Sequence, residues 1–377
     1  MRVSILILLL LQSGLCAAQQ EGFIKKFSGT IGKMEIVADI EIIDTIFSGS
    51  YYYARDMNPF LLRGTFKNLN ITASEETDDS ITGTISGKMS DDGSTITGTW
   101  KSLSKKKAYP FQWKEISPEG SAVLHVISKQ YQYVWKKNKN GAELGCKSFY
   151  SLCYITGLAN LQAKKSINDE LLEADVDQNA NDDALKDAAT EFMDGDFDSY
   201  HEDFDTAFAG SETEEDLKWM NESPASYQWK KSQTCEVLFN ENNLLTLQVF
   251  DERISGGARF YYECTNMVFD LRTGEELQLD ELFKPDSRDQ LNKLAQLQLL
   301  SKFKAGSLEQ LDEKGFQLHG SFSASYNFFV QKNGIGFTYN QDEVPTPDKK
   351  VFTILIPWSS LQQLINPNGP VAWALKK

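Results

Sequence analysis

From Glu21 to Glu115 apolar and polar residues alternate in short runs: MEIVADIEI, GSYYYA, FLLRGTF, SITGTISGKM, STITGTW and YPFQW. A period of two sends successive side chains to opposite faces, so this pattern predicts a series of antiparallel strands. Glycine followed by Thr or Ser recurs at Gly29, Gly49, Gly64, Gly83 and Gly98, close to once per hairpin arm. Asp91-Asp92-Gly93-Ser94 and Arg55-Asp56-Met57-Asn58-Pro59 supply turn chemistry between the runs. An antiparallel meander over residues 21–117, curled into a small barrel or sandwich, is the expected result. The recurring glycines either relieve strain where strands bend or open a ligand cavity.

Pro118-Glu119-Gly120-Ser121 punctuates the meander, and a second domain is expected over 122–377. It opens with the strand-like AVLHVISKQYQYVWKK and turns helical through LANLQAKKSINDELLEA. Leu185, Ala188, Ala189, Phe192, Phe197, Tyr200, Phe204 and Phe208 then fall close to a helical period. Strands are expected near 226–238, 244–253 and 259–271. Pro285-Asp286-Ser287 opens a helix carrying Leu291, Leu294, Ala295, Leu299 and Phe303, and SYNFFVQ, GIGFTY and VFTILIPW close the chain as strands. Strands and helices that segregate in this way imply an α+β domain rather than a doubly wound sheet.

Charge and leader narrow the setting. MRVSILILLLLQSGLCAA has one basic residue, an apolar run and small residues before Gln19, which reads as a secretory signal peptide over 1–18. No other apolar run is long enough to span a bilayer. An exported chain, periplasmic or extracellular, is expected. Its 38 basic and 53 acidic residues give a net charge of -15, which repels nucleic acid and favours cationic partners. Beyond the leader stand Cys146, Cys153, Cys235 and Cys264, an even count that in an oxidising compartment points to disulfides. Three pairings are possible, and Cys146 with Cys153 plus Cys235 with Cys264 keeps each bridge local.

Residues 169–216 hold nineteen acidic residues and one basic residue, Lys186. DVDQNANDD at 175–183 and DGDFDSYHEDFD at 194–205 have carboxylates or amides at alternate positions, as calcium loops do. An EF-hand loop needs Gly at its sixth position and Glu at its twelfth. Here Ala180 and Lys186 stand in the first segment, Ser199 and Asp205 in the second. A solvated acidic helix is therefore expected over a metal site, with Asp194, Asp196, Asp198, Glu202 and Asp205 as a face for a cationic partner. His125, His201 and His319 are scattered, and no nucleophile elbow, phosphate loop or dinucleotide fingerprint occurs. No catalytic constellation, metal or cofactor is expected. Gly256-Gly257 lies between strand patterns without the lysine or helix start of a phosphate cradle, so a turn or bulge is expected there.

Taken in order, Ile254-Ser255-Gly256-Gly257-Ala258, Asn266 to Asp270, Thr273-Gly274 and Leu279 to Phe283 resemble a known signature. It is that of the extracytoplasmic domains of the lysozyme-sensing anti-sigma factor RsiV and of PdaC. GLANLQAKKSIND at 157–169 and ILIPWSSL at 354–361 are similar to that family's helix and closing strand, so the resemblance spans about 130–365. It implies an RsiV-type α+β domain and motif positions Gly256, Gly257, Ala258, Arg259, Asp270, Thr273, Gly274, Leu282 and Phe283. Arg259 stands where that family carries His, and NQDEVPTPDKK replaces its usual approach to the last strand. Neither a sigma-binding segment nor a deacetylase domain is recognisable, so those roles do not carry over. The resemblance implies a lysozyme-like or cell-wall-related partner. The expectation is an exported, non-catalytic binding protein of the bacterial cell envelope, engaging a basic protein such as lysozyme. Its alternatives are an envelope-glycan enzyme or accessory factor, and a small-ligand carrier acting through the N-terminal β domain.

Overall fold

The structure, a computed structural model, describes residues 19–375 apart from 78–79, 106, 212, 257–259, 342 and 348–350. The leader segment 1–18 lies outside the described residues. Eight strands follow one another: β1 (Gln20–Ile31), β2 (Met34–Ile43), β3 (Ile46–Tyr53), β4 (Asp56–Lys67), β5 (Asn70–Glu76), β6 (Ile81–Met89), β7 (Thr95–Ser102) and β8 (Ala108–Ile116). Each pairs antiparallel with the next, and β8 returns to β1 from Lys26↔Ile116 to Ile31↔Phe111. The meander is thus a closed barrel. Its interior is filled by Phe27, Ile40, Phe47, Tyr51, Ile85 and Trp113, as an eight-stranded barrel just wide enough for its own side chains requires. The inward glycines answer a steric demand: a Cβ at Gly64 would stand 1.9 Å from the Thr72 carbonyl oxygen on the next strand. One carboxylate lies inside. Glu75 is buried, and it accepts hydrogen bonds from the Tyr51 hydroxyl, the Trp100 indole and, at 2.6 Å, the Thr82 hydroxyl.

Along the edge not paired with β2, β1 serves two partners. Lys26–Ile31 pair with β8, while Gln20–Ile24 pair with β9 (Val123–Lys137). The sheet therefore continues into β10 (Glu143–Gly157), β11 (Gln228–Glu241), β12 (Leu244–Ile254) and β13 (Phe260–Asp270), reaching thirteen strands. β10 and β11 run parallel, so their connection must cross over a sheet face. That crossover carries α1 (Leu161–Leu171), α2 (Asp182–Phe208) and α3 (Glu214–Glu222).

The remaining chain forms α4 (Arg288–Lys302) and α5 (Leu308–Glu313), then a three-stranded sheet of β14 (Phe328–Gln331), β15 (Gly334–Tyr339) and β16 (Phe352–Pro357). Leu291, Ala295 and Leu299 of α4 share one core with Phe328, Val330, Ile354 and Ile356. Asn340 and Asn327 accept the Cys264 and Asn266 amides, each at 2.9 Å, and so cover part of the β13 edge. The whole is a large antiparallel barrel and sheet followed by a smaller α+β region. Among the described residues no helix is long and apolar enough to cross a membrane.

Candidate functional site

The acidic stretch folds as α2 because its ends and one of its faces are specified. The Asn181 side chain accepts the Ala184 amide at 3.0 Å, and Asp182 and Asp183 occupy the first turn, where the helix dipole favours negative charge. Leu185, Ala189, Met193, Tyr200 and Phe204 make the buried stripe. It packs on Tyr150, Leu152, Tyr154 and Cys146 of β10. The helix runs unbroken through 194–205, so that segment is not an ion-binding loop. The other calcium-like segment is a connection held by protein groups: Lys165 donates to Asp169 at 2.7 Å and to Asp175 at 2.5 Å, and Asp169 accepts the Val176 amide.

The strands beneath α2 present cations to it. Lys129 lies 2.5 Å from Asp194, which also accepts from the Tyr131 hydroxyl. Burial alone would raise the Asp194 carboxyl, but these two donors outweigh it and hold the group below the usual carboxylate range. Lys231, buried on β11, and the Tyr150 hydroxyl both donate to Asp196. Burial, then the Asp196 hydrogen bond, pushes the Tyr150 phenol far up. Asp205 lies 3.2 Å from His201 on the same helix and accepts from Tyr133.

This corrects the expected partner face. Of its five residues, Asp194, Asp196 and Asp205 are engaged within the protein, leaving Asp198 and Glu202 to solvent. The outward ridge is Asp183, Asp187, Glu191, Asp198 and Glu202, all exposed and separated by one, one, two and one helical turns. Lys186, the one basic residue of the stretch, pairs with Glu21. The first three ridge residues were missing from the sequence-derived set, although their four-residue spacing was a readable signal.

The cysteine pairings are corrected as well, since the four buried thiols are placed too far apart for either expected bridge. Cys146 and Cys153 lie on one strand, seven residues apart. At about 3.3 Å per residue, roughly 23 Å separates them. Cys235 and Cys264 sit on β11 and β13 with β12 between, opposite Val249 and Phe250. Two strand spacings, about 9 to 10 Å, exceed the reach of a disulfide.

Residues 280–359 match DUF3298, a family described as protein of unknown function. A solved DUF3298 protein from Bacteroides fragilis has 22% identity and a TM-score of 0.54, covering 68% of this chain and 99% of its own. Another, from Pseudomonas aeruginosa, has 12% identity and a TM-score of 0.42, covering 66% of this chain and 95% of its own. The first of these likenesses shows the fold. No curated protein matches.

The DUF3298 segment takes in α4, α5 and β14 to β16, and α2 precedes it. Within the segment Leu282 and Phe283 are buried core residues, and Phe283 bridges to Ile365. Upstream, Asp270 accepts from Arg272 at the end of β13. In the turn that follows, a Cβ on Gly274 would stand 2.6 Å from Ala163 of α1, and Thr273 flanks it. Gly256 has φ +72 in the loop joining β12 to β13, where Ile254 pairs with Phe260, and a Cβ there would meet the Ser226 carbonyl at 2.6 Å. It turns the chain. Gly257, Ala258 and Arg259 lie outside the described residues.

Proposed function

We propose that this protein acts by binding, and that its partner is a basic protein met outside the cytoplasm. One observation carries the reading: five exposed carboxylates form a ridge along α2, while Lys129 and Lys231 of the strands below are paired with the inner Asp194 and Asp196, and Lys186 with Glu21. Like charges one turn apart each cost a helix about 0.2 to 0.5 kcal/mol, which an approaching cationic surface would relieve. The signal-like leader supports an extracytoplasmic setting, and the RsiV-type resemblance supports a lysozyme-like partner. The filled barrel interior weighs against the small-ligand carrier.

Hen lysozyme serves as the basic probe, with association rates measured across ionic strength. Exposed charges are screened beyond about 8 Å at physiological salt, so the on-rate is expected to fall steeply as salt rises. Asp187→Lys, Glu191→Lys and Asp198→Lys together should weaken binding at least about tenfold at low salt. Binding that is absent, or that ignores both salt and the triple reversal, overturns the proposal.

A further inference from the structure

We infer that Cys153 and Cys235 form a disulfide when the chain folds in the presence of a disulfide oxidant. β10 and β11 pair in parallel up to Ser151↔Thr234, two residues before Cys153 and one before Cys235. The Cys153 thiol donates to the Cys235 carbonyl oxygen at 3.6 Å, which brings its sulfur against the Cys235 backbone. Both are buried in one apolar cluster with Leu124, Ile155, Leu245 and Leu247. The other two cysteines stand apart, Cys146 beneath α2 with Tyr200 and Phe204, and Cys264 beyond β12.

The exchange balances with a small disulfide such as oxidised glutathione. One cysteine thiolate attacks a glutathione sulfur, giving a mixed disulfide and releasing one glutathione thiolate. The second cysteine thiolate then displaces the remaining glutathione. The two protein thiols lose two electrons and two protons, and the oxidant is reduced to two thiols. Contact with Cys235 and burial raise the Cys153 thiol well above its usual range, so little thiolate exists once the strands have closed. The bond therefore forms while β10 and β11 are still assembling. It would close the entire excursion through α1, α2 and α3, fixing the platform on which α2 rests.

The test is oxidative refolding of the purified, reduced protein in a glutathione buffer, followed by alkylation, digestion and peptide mapping. The expected map links Cys153 to Cys235, leaves Cys146 and Cys264 alkylated, and accompanies a melting temperature about 10 °C above that of the reduced protein. The double variant Cys146→Ala with Cys264→Ala should keep both the link and the shift, while Cys153→Ala should lose both. Four alkylated cysteines after oxidative refolding, or a bond through Cys146 or Cys264, overturns the inference.

Discussion

The barrel and the α2 layer each set carboxylates against an apolar core, and they treat them differently. In the barrel, Glu75 has three donors converging on it and the sheet closes on itself. On α2, the strands answer Asp194 and Asp196 from below, while the ridge from Asp183 to Glu202 faces solvent. A buried carboxylate that three donors already satisfy offers a partner little to gain, whereas a helix with a row of exposed like charge gains from any cation brought to it. The barrel is thus the stabilising half of the comparison, and the outer side of α2 its receptive half.

The largest expected effect tests the barrel. Trp113→Ala, at a fully buried side chain, should cost about 3 to 5 kcal/mol in denaturant unfolding. Asp187→Ala on the ridge should stay within about 0.5 kcal/mol. Equal costs would break the division between the two regions.

The next test divides α2 itself. Asp196→Ala leaves buried Lys231 without its counter-ion and should cost about 3 kcal/mol, while Asp198→Ala, one half-turn on, should be near neutral by the same measurement. A near-neutral Asp196→Ala would show that the inner carboxylates are as dispensable as the outer ones.

The smallest effect lies where the barrel wall meets β11. Burial and the nearby Glu236 carboxylate push Glu41 up from 4.5 to about 8, with the Ser48 hydrogen bond opposing them. A carboxyl raised in the folded state favours folding while protonated. That contribution is complete below 4.5 and is lost as pH rises through about 8. The melting temperature should therefore fall across that window, and Glu41→Gln should remove part of the slope. Glu41 is only half-buried, so solvent screening keeps the effect below the other two. A slope unchanged in Glu41→Gln would assign the pH dependence elsewhere.

Much of this was legible in the residues, for reasons that also explain the misses. Six of the eight barrel strands announced themselves as alternating runs because a period of two is a local property, while β1 and β5 fell outside those runs. Closure did not, because the β1–β8 register depends on how the whole sheet coils. The helical period from Leu185 to Phe208 gave α2 correctly, and it also held the clue to Asp196. That residue lies seven positions after Ala189 and four before Tyr200, within the buried stripe, so it had to point inward. Reading the acidic residues as one face overlooked this. The cysteines misled because closeness in sequence was taken for closeness in space, and an extended strand carries Cys146 and Cys153 far apart.

The strand β1 gives the chain a property that its linear layout conceals. Ile116 and Val123 look like the two sides of a module boundary, yet the first residues of the barrel complete the next sheet by pairing Gln20–Ile24 with β9. A truncation there would strip β9 of that neighbour and bare a row of amides and carbonyls able to recruit another chain. The two halves are therefore not interchangeable cassettes. Evolution can lose or shuffle one only by first re-covering β9 in the other, and that requirement ties their inheritance together.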